Sequence, residues 1–342
     1  MPVFGVDARS YAGGGVVTTD LGRAPAAGSS SPAMRAGAPR LSWPGRRIET
    51  AFVLAGGGNR GAVQVGMLRA LTERGIAPDL LVGTSIGAVN AAAFAGSPTI
   101  EGVYLAADVW RRILAEDVFP RGRFHGTWRY LERREAVYPS DGLRKVIGGF
   151  LRFEQLEDSP IPLVVVAARL EDGAEEWLNE GPALDCVLAS AALPGLFPVM
   201  ELGGSHYFDG GVLDNVPVSA ALAAGARRVF VLMCGSLDLT VPIFARPYEA
   251  MFAALSMALH ARLKRDLALV GPDVDVVVFE AQGVASVDVS DFSKTEELIE
   301  HGYQTARDVL DSYDEAVRLR RARPTPSHPS GFYDRARRAI GR

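Results

Sequence analysis

Three short stretches of this 342-residue chain hold the residue types that acyl transfer needs. Gly56-Gly57-Gly58-Asn59-Arg60-Gly61 and Gly83-Thr84-Ser85-Ile86-Gly87 each follow an apolar run and open a helix-like stretch. Successive glycines let a backbone turn several N–H groups toward one negative oxygen with no side chain in the way. The first stretch is therefore a candidate oxyanion hole, with Gly56, Gly57 and Gly58 as donors and Arg60 steadying the loop or adding positive charge. A serine between two glycines where a strand turns sharply into a helix is exposed, and the helix points its positive end at it. Ser85 is the candidate nucleophile. Asp209-Gly210-Gly211 supplies a candidate base, Asp209. Gly61, Gly83, Gly87, Gly210 and Gly211 support the motifs by permitting close approach and tight turns.

Other chemistries compete for these residues. Gly56-x-Gly58-x-x-Gly61 also fits the dinucleotide-binding fingerprint, which would make the chain a nucleotide-dependent oxidoreductase. That fingerprint wants an acid about 20 residues on, at the end of the second strand. Asp79 precedes that strand, and Thr84-Ser85 occupy its end. A phosphate-binding P-loop is excluded, because no Gly-Lys-Ser/Thr follows the glycines. Histidine is the usual base for a serine, yet only His260, His301 and His328 follow Asp209. The first two fall inside helices and the third in a Pro-rich tail, while His206 reads as a loop residue. Asp209 reads equally as an Asp-Gly turn between strands. Asp214 is the second candidate acid. A carboxylate with a reference pKa of about 3.9 is a weak base, so burial has to raise it before it serves a serine.

The elements that must hold these groups follow from hydrophobic runs. Residues 51–55, 80–82, 163–167, 228–232 and 274–279 are short continuous apolar runs, as in strands covered on both faces. Residues 175–179 and 199–202 are shorter strand candidates. Residues 61–75, 86–95 and about 100–117 read as helices, the second built of small residues. Ser293-Lys294-Thr295-Glu296 has the form of a capping box opening a last helix to about 319. Residues 244–259 have helical spacing, with Tyr248, Met251, Phe252, Leu255 and Leu259 expected on a core-facing side. Strands alternating with helices imply a mostly parallel sheet with helices on both sides.

Taken in order, these motifs resemble the patatin-like phospholipase family. The resemblance rests on Gly56–Gly61, Gly83–Gly87, the Ala189-Ser190-Ala191-Ala192-Leu193-Pro194 block and Asp209-Gly210-Gly211, and covers about residues 50–318. It implies a three-layer α/β/α fold and a Ser–Asp dyad without histidine, which makes Asp209 the partner of Ser85. It also implies hydrolysis of lipid or acyl-ester substrates with no metal or cofactor. A non-catalytic scaffold that keeps this fold is the other reading.

Domain organisation follows composition. Residues 1–48, rich in Gly, Ser and Pro, read as a flexible leader, 49–320 as the hydrolase domain and 321–342 as a basic flexible tail. The chain is 48% hydrophobic and 22% charged, an ordinary globular composition, with a net charge of -4. Residues 1–50 carry six arginines and three acids, and residues 318–342 eight arginines and one acid. Basic ends on an acidic body can rest on an anionic lipid surface or stand as solvated tails. Residues 118–139 mix Phe119, Phe124, Trp128 and Tyr130 with Arg121, Arg123, Arg129, Arg133 and Arg134, a composition suited to a lid or to peripheral membrane contact. Nucleic acid is not an expected partner, and oligomeric state is not legible. Cys186 and Cys234 form no framework, no spanning helix or signal segment is legible, and a cytoplasmic location is expected.

Overall fold

The computed structural model describes residues 41, 43–120, 136–237, 247–284, 287 and 291–322. Eight strands form one sheet: β1 (Thr50–Leu54), β2 (Leu80–Thr84), β3 (Leu163–Arg169), β4 (Glu175–Leu178), β5 (Met200–Leu202), β6 (Ser205–Asp209), β7 (Arg228–Leu232) and β8 (Asp275–Phe279). Their order is β5-β6-β3-β2-β1-β7-β8, and β4 also pairs with β3. The five apolar strands β3, β2, β1, β7 and β8 run parallel. The polar-flanked β4, β5 and β6 join antiparallel at one side.

The helices are α1 (Ala62–Glu73), α2 (Ile86–Gly96), α3 (Ile100–Arg112), α4 (Ala115–Val118), α5 (Asp141–Phe150), α6 (Ala183–Ala191), α7 (Val218–Ala223), α8 (Pro247–Ala268) and α9 (Thr295–Ala322). Alternate strand residues divide between two cores, as the two-residue period of a strand requires. Phe52, Leu54, Leu81, Val165, Phe230 and Phe279 pack with α1, α2, α3, α5, α6 and α9 on one face. Ala51, Val53, Val82, Val166, Val231 and Val278 pack with α7 and Leu263 of α8 on the other. The result is the expected three-layer α/β/α sandwich with a mostly parallel sheet.

Differences from the sequence reading have local causes. The helix expected over about 100–117 stops at Arg112, where Ile113 turns extended and enters the core. Asp291 caps the 3-10 turn Phe292–Lys294 that leads into α9, its carboxylate accepting the Ser293 N–H at 3.0 Å and the Ser293 hydroxyl at 2.6 Å. Glu296, expected to complete a capping box, instead meets Arg111 at 2.5 Å. On α8, Leu255 and Leu259 of the expected side are half-buried and Leu263 one turn on is buried, while Met257, off that side, is exposed. Leu41 and Ile48 are buried against the second core, so packing begins before the expected boundary at residue 49. Most of the expected leader and tail, and residues 121–135 of the aromatic–arginine stretch, lie outside the described residues. At the edge of that stretch Phe119 stacks on Phe197 at 5.9 Å between ring centres, and Tyr138 meets Phe197 tilted, at 6.3 Å.

Candidate active site

The site lies at the carboxyl ends of β1 and β2, where parallel sheets place ligands. β2 ends at Thr84 and α2 begins at Ile86, so Ser85 alone makes the turn. Its backbone sits at φ 56° and ψ −126°, and it is the one described non-glycine residue with positive φ. Such a conformation costs on the order of 1–3 kcal/mol and persists only when the surroundings enforce it. Here a Cβ on Gly83 would lie 2.5 Å from the Gly87 carbonyl, and one on Gly87 would lie 2.1 Å from the Leu54 carbonyl. Both flanking positions therefore exclude any side chain.

Ser85 Oγ donates to Asp209 Oδ2 at 2.6 Å. Asp209 ends β6, which pairs with β3 through Ala167, so the sheet itself carries the acid to the serine. The other carboxylate oxygen, Oδ1, accepts the Gly211 N–H at 2.7 Å. Asp209 is 3% exposed. Burial pushes its pKa up to about 6, while the hydrogen bonds from Ser85 and Gly211 hold it down. Gly210 is pressed against β3, where its Cβ would lie 2.2 Å from the Val166 carbonyl.

The glycine loop leaves β1 and passes through one 3-10 turn, Gly58–Gly61, into α1. Gly58 has φ 61°, which glycine adopts without strain. No described residue accepts the N–H of Gly57 or Gly58. Gly56, expected as a third donor, departs from that reading: its N–H is committed to the Asn215 carbonyl at 3.0 Å. Its contribution is closeness, since a Cβ there would lie 2.3 Å from Asn215 Oδ1 and 3.3 Å from Ser85 Cβ. Arg60 steadies the loop, its Nε donating to the Gly57 carbonyl at 3.3 Å. In a trans peptide this carbonyl and the Gly58 N–H point opposite ways. Gly61 lies against Ile86, the residue after the serine. Cys234 sits directly under Gly57, and burial raises its thiol pKa to about 12.

Several supporting residues had no distinct sequence signal. Gln64 donates to the carbonyls of Ala55 at 2.8 Å and Leu232 at 3.0 Å. Asn90 donates to the Gly61 carbonyl at 2.9 Å and to Gln64 Oε1 at 2.8 Å, and accepts from Trp110 Nε1 at 2.9 Å. A buried amide network so fully paired rigidifies the floor of the loop. Asn59 ties the loop to the segment before α9, donating to the Asp291 carbonyl at 2.5 Å. Asn215 clamps Gly56 from the far side, its Nδ2 donating to the Gly56 carbonyl at 3.2 Å.

Asp214, the second candidate acid, points elsewhere. Its carboxylate accepts from Arg262 Nη2 at 2.7 Å and from Ser219 at 3.2 Å. The described histidines are equally remote in bonding. His206 pairs with Glu171 at 2.8 Å, and His260 meets the Leu237 carbonyl. None of them bonds Ser85 or Asp209.

Fold and site together define an α/β protein with a strained serine elbow, a carboxylate partner and a glycine loop beside them. A profile of the patatin-like phospholipase family matches residues 52–222. The chain belongs to that family. It is 32% identical over 197 residues to the lysophospholipase NTE1 of Mycosarcoma maydis, across 56% of this chain and 10% of that one. It is 29% identical over 291 residues to patatin-like phospholipase domain-containing protein 7 of Mus musculus, across 76% of this chain and 20% of that one. The chain thus spans a small part of these relatives. The structure of VipD from Legionella pneumophila superposes with a TM-score of 0.44 at 16% identity, covering 78% of this chain and 67% of that one.

Proposed function

We propose that this chain is a serine lipid acyl hydrolase of phospholipase A or esterase type, working through a Ser85–Asp209 dyad and an acyl-enzyme. The observation that carries the reading is the 2.6 Å hydrogen bond from a serine in a strained elbow to a buried carboxylate raised to about 6. That carboxylate has two neutral donors, so nothing cationic suppresses its basicity.

Asp209 Oδ2 takes the proton as Ser85 Oγ attacks the ester carbonyl carbon. The tetrahedral oxyanion is held by the N–H groups of Gly57 and Gly58, with Arg60 fixing the peptide between them. Removal of one such donor typically costs on the order of 2.7–4 kcal/mol in the barrier. Protonated Asp209 then gives its proton to the departing alcohol. Water, deprotonated by Asp209, attacks the acyl group, and the fatty acid leaves as Ser85 regains its proton. No step requires a metal or cofactor.

The relatives named as lysophospholipases make a single-chain phospholipid the first substrate to test. A cytoplasmic position at lipid surfaces, through 118–139 and the basic tail, belongs to the same proposal. No described helix is long and apolar enough to cross a membrane. The test is fatty-acid release from lysophosphatidylcholine and from a short p-nitrophenyl ester, with Ser85→Ala beside the full chain. Release by the first and not the second is expected. Folded full chain that releases neither would favour the non-catalytic scaffold.

A further inference from the structure

The nucleophile's backbone is held by a residue in a different helix. Parallel pairing of β2 with β3 ends at Thr84 opposite Val166. The next N–H in line belongs to Ser85, but the elbow turns away from β3. Ser190, on α6, fills the gap. Its Oγ accepts the Ser85 N–H at 2.9 Å and donates to the Val166 carbonyl at 2.6 Å. Ser190 is 0% exposed, so water does not reach its hydroxyl. Immediately after the helix, the Ala192 carbonyl accepts the Asp209 N–H at 2.9 Å. One helix end therefore grips the backbones of both Ser85 and Asp209. The Val166 carbonyl that accepts the Ser190 hydroxyl also abuts Gly210, the residue after Asp209.

We propose that Ser190 is a positioning residue for the nucleophile, extending the β2–β3 ladder by one side-chain rung so that Ser85 Oγ stays in line with Asp209. The proposal rests on the hydrolase reading above. Ser190 touches no reacting atom; it acts through the Ser85 backbone. Without its hydroxyl, the buried Val166 carbonyl is left unpaired and the Ser85 N–H loses its partner. The elbow then relaxes from its strained geometry, and the Ser85–Asp209 bond lengthens. Misplacement by about 1 Å can cost about 100-fold in rate.

The test is the rate of Ser85 phosphonylation by a fluorophosphonate, a probe too small to depend on lipid binding. The full chain is compared with Ser190→Ala, Ser190→Thr and Val277→Ala. Val277 is a buried β8 residue outside the site, and its truncation controls for lost stability. We expect Ser190→Ala to label about 10- to 100-fold more slowly. We also expect the midpoint of its pH–rate profile to rise, because Asp209 loses the Ser85 hydrogen bond that holds its pKa down. Val277→Ala should label at the normal rate with a normal midpoint, and Ser190→Thr should recover part of the loss by restoring the hydroxyl. Should Ser190→Ala fail to fold, Ser190→Cys, of similar size with a weak thiol donor, is read against Val277→Ala in the same way. Labelling of folded Ser190→Ala at the normal rate and midpoint, or an equal loss in Val277→Ala, overturns the proposal while leaving the dyad intact. Failure of the folded full chain to label overturns the hydrolase reading itself.

Discussion

Asp209 and Asp214 stand at the two ends of one short segment, and both are buried, at 3% and 2% exposure. Burial raises both carboxyl groups, to about 6 and about 7. Their surroundings differ in kind. Asp209 faces a hydroxyl and a backbone N–H. Asp214 faces the Arg262 guanidinium, which also holds Glu175 at 2.5 Å and Asp266 at 3.3 Å. Crowding by those two carboxylates adds to burial in raising Asp214, against the pull of Arg262. Burial alone thus does not make a base. A carboxylate with neutral donors keeps a free proton-accepting role toward a hydroxyl, whereas one fixed to a cation becomes a fastening. Arg262 also donates to the Leu213 carbonyl at 2.8 Å, and the Asp214 carbonyl accepts from Thr84 at 2.9 Å. The cluster around Asp214 therefore anchors the segment that starts with Asp209, and the two regions divide chemistry from support.

The largest effect that would separate them is catalytic. Asp209→Asn should lower ester hydrolysis by about 10⁴-fold, comparable with loss of the acid in other serine hydrolases. Activity near normal in the folded variant would erase the distinction. Next is the anchor: Arg262→Met strands buried carboxylates and should destabilise by about 3–5 kcal/mol at pH 8. Denaturant unfolding should show a smaller loss at pH 5, where the raised Asp214 carboxyl takes up a proton. A loss independent of pH would mean that Arg262 contributes packing rather than charge.

Linkage gives a third, opposite effect. The folded pKa of Asp209 lies above its unfolded value, so the stability it contributes is present below pH 3.8 and lost as pH rises through about 6. Ionised Asp209 is consequently a cost at pH 8. Asp209→Asn should be more stable than the parent there, by up to about 3 kcal/mol, and no more stable at pH 4. A lower melting temperature at pH 8 would contradict the burial argument. The smallest effect is expected at Asp214→Asn, which removes a fastening charge but leaves the backbone carbonyl to Thr84. Its turnover should stay within about tenfold of normal, since no transition-state contact is lost.

The sequence made the central strands legible because β1, β2, β3, β7 and β8 are apolar on both faces and need no partner information. Strand β6 was not legible. Its Ser205-His206-Tyr207-Phe208-Asp209 run has no clean alternation, and Asp-Gly reads as a hairpin turn. Only the pairing of Ala167 with Asp209 shows that the acid ends a strand. The serine elbow was legible because its glycines mark close approach on both sides. Gln64 and Asn90 were not, and Ser190 was legible only as part of the family block, because a polar residue inside an apolar helix reveals its partners only when the 9 to 168 residues of chain between them are folded. Nor did composition distinguish Asp209 from Asp214, since the arginine that separates them lies 48 residues beyond Asp214.

The most direct measurement is fluorophosphonate labelling of Ser85 as a function of pH in the parent, Ser85→Ala, Asp209→Asn and Asp214→Asn. The account predicts labelling of the parent and of Asp214→Asn with a rise centred near pH 6, as Asp209 ionises. It predicts none in Ser85→Ala and almost none in Asp209→Asn. Labelling of Asp209→Asn at the parent rate, or a folded Asp214→Asn that fails to label, would contradict it.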